Sequence, residues 1–384
     1  MESKAEKRKV LVFIDWFLPG DKAGGPVRSV ANLLDHFGSE FDFSVVTRDT
    51  DYTSSVPYAG VKSDAWNKLP GGQRVFYVSG NKLSPGTIAS ILEKETYDVV
   101  YLNGMWSKHF TIEPLQVLKR MKKNVRVVVA VRGMLAPSAL AIKPLKKKLF
   151  LAYAKLRNLF SGVIFHATTE EEAQQARKFF GEKNEIIVAG NLPRRSMSAG
   201  AGREKKKGAV RIVNVARIAP EKNTLYAVEL LSMVKSRAEA DFFGPVYNEE
   251  YAGQCREAAA RLPENVKLDF RGALDSGKIE ETLPAYDLLL LPTRGENFGH
   301  IILEAMQCGV PVLISDKTPW KDLEKEKAGW VISLDEKEKF AAVIDRVSEM
   351  DETEYREWSE GAKRAAEKYI SSSSLPENNR KLFA

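Results

Sequence analysis

The sequence predicts an α/β protein built from two Rossmann-like, doubly wound domains. A chain of 384 residues is too long for one ordinary hydrophobic core. Short apolar runs alternate with helical patterns from end to end, which is typical of parallel strands covered on both faces. The alternation is interrupted once, by the stretch 190–209, which is rich in Gly, Ser, Lys and Arg and has the composition of a linker.

Strand-like segments are short and apolar, and most are separated by segments with helical periodicity, as at 27–37 and 169–180. In the first half they are residues 10–14, 43–47, 75–78, 99–102, 125–131, 163–166 and 186–189. In the second half they are 210–215, 240–243, 266–270, 288–291 and 312–314.

These elements predict how the chain divides into domains. We predict an N-terminal domain over 1–190, a linker over 191–209 and a C-terminal domain over 210–365. A tail helix over 366–384 follows, for which packing back on the N-terminal domain is one arrangement. The two domains are expected to face a central cleft, which is a natural place for a ligand.

The composition excludes several classes of protein. The apolar share is 44% and the charged share 28%, and no window reaches the ~20 uninterrupted apolar residues of a membrane span. Two cysteines, Cys255 and Cys308, cannot form a disulfide framework, and four scattered histidines do not indicate a zinc site. The first residues are charged and lead directly into a strand, without the cleavage site of a signal peptide. We therefore expect a cytoplasmic protein.

The segment RGENFGHIILEAMQCGVP, residues 294–311, follows the predicted strand 288–291. Ligands of open α/β sheets bind beyond the carboxyl ends of the strands. A helix is predicted over 300–308 with Gly309 at its end. The backbone N–H groups that start it suit a phosphate or sugar oxygen, and they belong to Asn297, Phe298 and Gly299.

Two glutamates in this segment are separated by seven residues. Glu296 lies in the turn, whereas Glu304 lies among apolar residues of the helix. A buried carboxylate without a partner costs several kcal/mol, so Glu304 must have one, and ribose hydroxyls would serve. The alternative is that Glu304 pairs with a basic core residue and that Glu296 only caps the helix.

A second segment, VNVARIAPEKN at 213–223, is again a strand, a loop and a helix start. Arg217 and Lys222 lie in its loop, where two cations beside a helix N-terminus suit a diphosphate. The alternative for both is solvated surface charge.

Together these segments resemble the donor-binding signature of GT-B glycosyltransferases of family 4. The Glu-x7-Glu unit in its loop and helix is the most specific part of the resemblance. Weaker N-terminal matches are to bacterial polysaccharide-assembly members of that family. They are GGPVRSVANL at 24–33, GMW at 104–106, VRGML at 131–135 and HATTEEEAQQ at 166–175.

The resemblance implies roles for the matching residues. The catalytic set would be Glu296, which holds hydroxyls of the donor sugar, with Arg217 and Lys222, which bind the diphosphate. Glu304 would hold the ribose, assisted at the donor site by the helix start at 297–299.

Two further pairs of residues are assigned by the resemblance. The backbone around Arg271 and Gly272 would face the nucleobase. Gly24 and Gly25 would let the first loop approach the phosphates, as glycine permits, although an ordinary turn before a helix is the alternative.

The N-terminal domain departs from the family pattern, in which many members carry a histidine near the reacting sugar. Asn103 and Arg132 lie at the candidate places here, and with Trp106 they are the acceptor-side candidates. Arg132 is alternatively a phosphate contact.

The implied function is transfer of a sugar from a UDP- or GDP-linked donor to a glycan or lipid-linked glycan, with the anomeric configuration retained. We expect no cofactor and no nucleic-acid partner. We also expect no metal, because Arg217 and Lys222 would replace its charge and because the two carboxylates of Asp49-x-Asp51 are predicted to form a turn rather than a metal site. Two alternatives share the fold and the donor site, a sugar-nucleotide epimerase and a non-catalytic nucleotide-sugar-binding protein. A dinucleotide-dependent dehydrogenase fits less well, because GDKAGGP at 20–26 lacks the spaced glycines of that fingerprint.

The charge is distributed unevenly along the chain. Residues 1–195 carry 30 Lys/Arg against 19 Asp/Glu, a net of +11, and the remainder nets −4, which together give +7. Much of the excess lies in KPLKKKLFLAYAKLRNLF, residues 143–160.

On a helix, this basic segment has an inward stripe, with Phe150 and Leu151 outside it among lysines. We expect the stripe to consist of Leu145, Leu149, Ala152, Leu156 and Leu159. Basic residues mixed with apolar ones predict an interfacial helix on the anionic inner face of the cell membrane. A solvated helix with a second packing contact is the alternative.

Overall fold

The computed structural model describes residues 6–20, 22–141, 144–195, 202 and 204–384. The chain forms two compact units. Unit 1 comprises Met1–Arg195 together with Ser373–Ala384, and unit 2 comprises Ser196–Ser372. Each unit is an α/β domain with a predominantly parallel sheet, as predicted.

The sheet of unit 1 has eight strands in the order β3-β4-β2-β1-β5-β6-β7-β8. They are β1 Lys9–Phe13, β2 Asp42–Arg48, β3 Ala65–Lys68, β4 Arg74–Val78, β5 Val99–Asn103, β6 Arg126–Ala130, β7 Ile164–Ala167 and β8 Ile186–Val188. All pairings are parallel except that of β3 with β4. Because β2 and β5 flank β1, the strand order reverses between β1 and β5, which makes this a topological switch point.

In the described part of Met1–Arg195, the first of the two segments of unit 1, there are six α-helices. They are α1 Gly25–Phe37, α2 Pro85–Lys94, α3 Glu113–Met121, α4 Pro137–Ala141, α5 Pro144–Leu156 and α6 Glu170–Phe180. Their apolar sides cover strands that are almost completely buried, as at Phe13, Leu102 and Phe165.

The sheet of unit 2 has six parallel strands in the order β11-β10-β9-β12-β13-β14. They are β9 Ala209–Val215, β10 Arg237–Phe243, β11 Val266–Gly272, β12 Leu288–Leu291, β13 Val312–Ser315 and β14 Gly329–Ile332. The helices are α7 Thr224–Leu231, α8 Glu249–Ala259, α9 Ile279–Thr282, α10 His300–Gln307, α11 Lys337–Glu349 and α12 Glu352–Ile370. Here the order reverses between β9 and β12, so the switch point lies between those two strands.

Every strand that the sequence predicts overlaps an observed one, but two observed strands were not predicted. β3 is a half-exposed edge strand with the sequence AWNK, which has no strand-like alternation. β14 has the sequence GWVI and follows a charged loop. Its first residue, Gly329, lies so close to β13 that a Cβ would come within 2.1 Å of the carbonyl oxygen of Val312.

The end of the chain forms part of unit 1. Where the sequence predicts one tail helix over 366–384, α12 continues to Ile370 in unit 2, and a separate helix, α13 Ser374–Lys381, belongs to unit 1. The ring of Phe383 is completely buried and its centroid lies 5.3 Å from that of Phe41 and 5.4 Å from that of Phe43. Of the predicted linker, residues 191–195 belong to unit 1, and residues 196–201 and 203 lie outside the described residues.

The predicted face of α5 is wrong. Leu145, Leu149 and Leu156, expected to point inward, are 70%, 63% and 81% exposed. Phe150 and Leu151, expected outside, pack against the core of unit 1. The predicted stripe assumed a helix that continues through Leu159, whereas α5 ends at Leu156, so the burial of Leu159 does not define the inward face of the helix.

Candidate functional site

Polar side chains of two loops meet at the switch point of unit 2. The loop after β9 carries Arg217 and Lys222, and the loop after β12 carries Glu296. The ammonium group of Lys222 donates a hydrogen bond to Oε1 of Glu296, and the two side chains are 19% and 14% exposed. Arg217 forms a second ion pair, with its Nη2 atom 3.1 Å from Oε1 of Glu221. All three residues of the predicted catalytic set therefore lie in these two loops, and each is ion-paired.

The two loops are held together by hydrogen bonds at Asn223, which the sequence analysis did not single out. Asn223 adopts the left-handed conformation with φ 61° at the start of α7, and it is buried. Its Nδ2 atom donates to the carbonyl oxygen of Pro292 at 3.0 Å, and its Oδ1 atom accepts from Nε of Arg294 at 3.1 Å. A left-handed asparagine directly before a helix is a recognisable signal, because asparagine tolerates this conformation better than most residues.

The turn before α10 is fixed from the other side by the loop after β13. Gly299 starts the helix with φ 77°, a conformation that favours glycine. Phe298 is buried, and its carbonyl oxygen accepts a hydrogen bond from Nε1 of Trp320 at 2.6 Å. The N–H group of Glu296 donates to the carbonyl oxygen of Lys317 at 3.0 Å. The backbone of 296–299, including half-buried Asn297, is thus held by contacts that the sequence analysis did not anticipate.

Glu304 is buried in α10, as expected from its apolar neighbours. Burial first, and the negative charge of Glu304 second, raise the pKa of the Cys308 thiol to about 12. Cys308 is therefore a protonated, buried thiol at neutral pH. The ribose-binding role of Glu304 stays a prediction.

Arg271 and Gly272 end β11, two strands away from β9 in the sheet. The guanidinium of Arg271 donates from Nε to Asp241 at 2.6 Å and lies 3.1 Å from a carboxylate oxygen of Asp269. Gly272 has φ 72°, and a Cβ there would meet no heavy atom within 4 Å. Their contact with a nucleobase stays a prediction.

Gly24 and Gly25 lie at the start of α1, at the carboxyl edge of the sheet of unit 1. Gly24 has φ 72°, so its backbone conformation favours glycine. A Cβ at either position would meet no atom within 4 Å, so protein packing does not require a glycine there. This geometry is compatible with both the phosphate-binding loop and the ordinary turn.

Arg132 connects the ends of β5, β6 and β8. It has the unusual φ of 54°. Its hydrogen-bond acceptors in the described part of the chain are all neutral. Its Nε donates to Oδ1 of Asn103 at 2.8 Å, Nη1 to Oδ1 of Asn191 at 2.6 Å, and Nη2 to the hydroxyl of Tyr101 at 2.8 Å. No carboxylate lies within ion-pair distance of Arg132 among the described residues. A positive charge held by neutral groups in a strained backbone is a candidate anion contact.

Two buried residues behind Arg132 were not predicted. The Tyr101 hydroxyl and Nδ1 of His166 are 2.8 Å apart, and Nε2 of His166 lies 2.8 Å from the carbonyl oxygen of Ala189. Burial, followed by the charge of Arg132, lowers the pKa of His166 to about 3. His166 is therefore neutral at physiological pH and supports the network without adding charge.

Trp106 contacts α5 rather than the polar network around Arg132. Its ring lies 5.2 Å from that of Phe150 and nearly perpendicular to it. Its buried indole N–H group has no hydrogen-bond partner among the described residues. The structure therefore places Trp106 in the packing of α5, and its acceptor role stays a prediction.

Asp51 begins a turn, in which the N–H group of Ser54 donates to its carbonyl oxygen at 3.0 Å, whereas Asp49 lies in the bend that follows β2. Asp49 accepts a hydrogen bond from the hydroxyl of Ser63 at 2.7 Å, and Asp51 accepts from the N–H group of Tyr52 at 2.7 Å. Within the described part of the chain, no group of three or more His, Cys, Asp or Glu residues is arranged to hold a metal ion.

Two family descriptions match the sequence, one in each unit. Residues 24–191 match the glycosyl transferase 4-like domain, and residues 201–365 match glycosyl transferases group 1. No protein of curated function matches the sequence.

Several solved structures share the fold over nearly the whole chain. Sucrose-phosphate synthase from Thermosynechococcus elongatus is 16% identical, with a TM-score of 0.69 and 98% of each chain covered. HepE from Anabaena, solved with UDP and glucose, is 14% identical, with a TM-score of 0.67 and the same coverage. WaaG, a glycosyltransferase involved in lipopolysaccharide biosynthesis, is 15% identical, with a TM-score of 0.67 and 98% of each chain covered. At these identities the likeness concerns the fold.

Proposed function

Because the chain is a GT-B glycosyltransferase with a family-4-like N-terminal domain, we propose that it transfers a sugar from a nucleotide-sugar donor to a glycan or lipid-linked glycan. The donor is a UDP- or GDP-linked hexose, the anomeric configuration is retained, and the product belongs to cell-surface polysaccharide biosynthesis. The observation that carries this proposal is the Lys222–Glu296 pair at the switch point of unit 2. The complex of HepE with UDP-glucose supports a uridine nucleotide as the first candidate.

The chemistry separates a diphosphate from an oxocarbenium-like sugar, so the site must stabilise negative charge that develops on the leaving group. Lys222 and Arg217 supply the positive charge that stabilises it, together with the N–H groups at the start of α10. Their present ion pairs hold both cations in place before the reaction, which avoids reorganisation when the charge develops. Glu296, oriented by Lys222, accepts hydrogen bonds from hydroxyl groups of the donor sugar, which favours front-face attack over a covalent glycosyl intermediate.

The test is a panel of UDP-, GDP- and ADP-sugars, measured for binding by calorimetry and for turnover with glycan acceptors, with and without EDTA. We expect one nucleotide class to bind, transfer to persist in EDTA, and NMR of the product to report the configuration of the donor. Interconversion of the donor sugar without transfer would indicate an epimerase, and binding without any turnover would indicate a binding protein. A complete, metal-reversible loss in EDTA would contradict metal independence.

Glu304→Ala is expected to weaken binding of the free nucleotide by about 10- to 100-fold, as for loss of a hydrogen-bonded charged group. Glu296→Ala should leave nucleotide affinity nearly unchanged and impair turnover, because Glu296 contacts the sugar in this proposal. Calorimetry with the matching nucleotide measures both, and Glu304→Gln, which keeps the volume of the buried side chain, controls for a cavity. Equal losses of nucleotide affinity in the two alanine variants would contradict the division of roles.

We further propose that α5 attaches the protein to an anionic membrane surface, where a lipid-linked acceptor lies. Leu145, Leu149, Tyr153 and Leu156 are exposed on one side of this helix. Lys146, Lys148 and Lys155 are exposed beside them. An exposed apolar stripe flanked by lysines is the pattern of an interfacial helix. No helix in the described ranges is long and apolar enough to span a membrane.

Vesicle sedimentation measures this attachment. The wild type should sediment with anionic vesicles and not with neutral ones, and less so at high salt, because each basic residue near the surface contributes about 1 kcal/mol. Replacing Lys146 and Lys148 by glutamine should abolish the preference, and Leu149→Ser should weaken it. Lys147 is left unchanged, because it packs over the ring of Trp106 and donates a hydrogen bond to the carbonyl oxygen of Ala139.

Val56→Ser is the control for the apolar change, because Val56 is 70% exposed and lies away from α5 in sequence. The membrane proposal would be contradicted if sedimentation did not depend on lipid charge and salt, or if the lysine replacements left it unchanged.

A further inference from the structure

The switch point of unit 1 carries a second cluster of polar and aromatic side chains. Asp15 follows β1, Arg48 ends β2 and Ser107 follows β5, and these three strands are neighbours in the order β2-β1-β5. The Ser107 hydroxyl donates to Oδ1 of Asp15 at 2.9 Å, and Nη2 of Arg48 lies 3.6 Å from the same oxygen. Ligands of doubly wound sheets bind at such a point, so this cluster lies where a ligand is expected.

The carboxylate of Asp15 is available on one side. Both contacts described above reach Oδ1, whereas Oδ2 accepts no hydrogen bond from the described residues, and the side chain is 23% exposed. Burial raises the pKa of Asp15 even though Ser107 and Arg48 oppose the shift, so ionising this group in the folded protein is unfavourable. A carboxyl group with a raised pKa at the carboxyl edge of a parallel sheet is a candidate binding group.

Aromatic rings lie around Arg48, and one of them belongs to Trp16, the next residue in the chain after Asp15. Trp16 is partly exposed, and its ring lies 5.0 Å from that of Tyr52 at an interplanar angle of 90°. The guanidinium carbon of Arg48 lies 5.7 Å from the ring of Trp16 and 5.4 Å from that of Phe110. Arg48 therefore braces the indole of Trp16 and balances the charge of Asp15, which leaves the cluster with no net charge.

We propose that Asp15 and Trp16, braced by Arg48 and Tyr52, form a subsite for an uncharged sugar ring. The C–H face of a pyranose packs on the indole, and a hydroxyl group donates to Oδ2 of Asp15. A balanced ion pair favours neutral sugars over uronic acids and sugar phosphates, because neither charge is left to attract an anion. The assignment of this sugar to the acceptor rests on the proposed glycosyl transfer. The prediction that a sugar binds at this subsite does not rest on it.

Saturation-transfer NMR with methyl glycopyranosides tests the subsite without any nucleotide. The panel contains the methyl α- and β-glycosides of glucose, galactose and mannose, with methyl glucuronide and glucose 6-phosphate as anionic probes, at millimolar concentration. We expect signals for at least one neutral glycoside and weaker signals for the anions. Asp15→Asn should lower the affinity about tenfold or more, as for a lost bond to a charged acceptor, and Trp16→Leu should remove the signal.

Two matched variants serve as controls. Trp66→Leu changes another partly buried tryptophan of unit 1, and Asp42→Asn changes an exposed carboxylate at the opposite end of β2. Both should bind as the wild type does, and near-ultraviolet circular dichroism checks that all four variants are folded. The proposal is overturned if no neutral glycoside gives a signal with the wild type, if Asp15→Asn and Trp16→Leu bind normally, or if the controls lose binding equally. Failure of every donor in the nucleotide-sugar panel would instead count against the proposed transfer and leave the glycoside result intact.

Discussion

Replacing Lys222 by alanine is expected to lower the rate of sugar transfer by on the order of 10²–10³, as for other preorganised groups that stabilise developing charge. Lys222 is only 19% exposed, and its ammonium group is fixed by Glu296. The alanine variant loses both the positive charge and the group that orients Glu296. The rate at saturating donor and acceptor measures the loss, since it does not depend on substrate affinity.

A double-mutant cycle tests whether Lys222 and Glu296 act as one unit. We expect Lys222→Ala combined with Glu296→Ala to be hardly slower than the slower single variant, because each change already removes the pair. Lys325→Ala is the control, since Lys325 belongs to an exposed ion pair with Asp322 and should change nothing. Losses that simply add in the double variant, or a rate for Lys222→Ala within a few-fold of the wild type, would contradict the assignment.

Replacing Phe383 by alanine is expected to lower the free energy of unfolding of unit 1 by about 3–5 kcal/mol, the usual cost of truncating a buried phenylalanine. The ring is fully buried and contacts Phe41, Phe43 and Tyr101. Its backbone is also held, because Arg8 donates a hydrogen bond to the carbonyl oxygen of Phe383 at 2.9 Å. Urea unfolding followed by near-ultraviolet circular dichroism measures the change.

The loss should be confined to unit 1. Nucleotide binding, which we propose for unit 2, is expected to persist at urea concentrations where unit 1 of the Phe383→Ala variant has unfolded. Lys381→Ala is the control, because Lys381 lies two residues before Phe383 and its side chain is exposed. It should change the free energy of unfolding little. A Phe383→Ala variant as stable as the wild type, or one in which unit 2 is destabilised equally, would contradict the assignment of this segment to unit 1.

Most strands were predictable because they are buried on both faces and therefore have nearly continuous apolar sequences. β3 was not predicted because it is a half-exposed edge strand, and its sequence AWNK is therefore not a continuous apolar run. The face of α5 was assigned wrongly because Leu145, Leu149 and Leu156 were taken to face inward. Phe150, Leu151 and Ala154 provide its inward contacts instead. Helical periodicity shows which residues share a face, but an apolar face on the surface looks the same as one in the core.

The site was predictable to the level of its loops. Arg217, Lys222 and Glu296 were placed at the carboxyl ends of strands, but the pairing of Lys222 with Glu296 depends on β9 lying beside β12, which is a property of strand order. Asp15 and Arg48 were missed for the same reason. They are 33 positions apart in sequence and belong to no spaced motif, and only the neighbouring positions of β1 and β2 bring them together.

The return of the chain to unit 1 has a consequence for biosynthesis. Unit 2 is continuous and can fold on the ribosome as soon as it emerges, whereas unit 1 lacks α13 and Phe383 until all of unit 2 has been translated. Residues 196–372 number 177, and at roughly 5–20 residues per second their synthesis takes about 10–35 s. We expect the surface around Phe41 and Phe43, which Phe383 covers in the folded protein, to stay exposed in the nascent N-terminal unit during that interval.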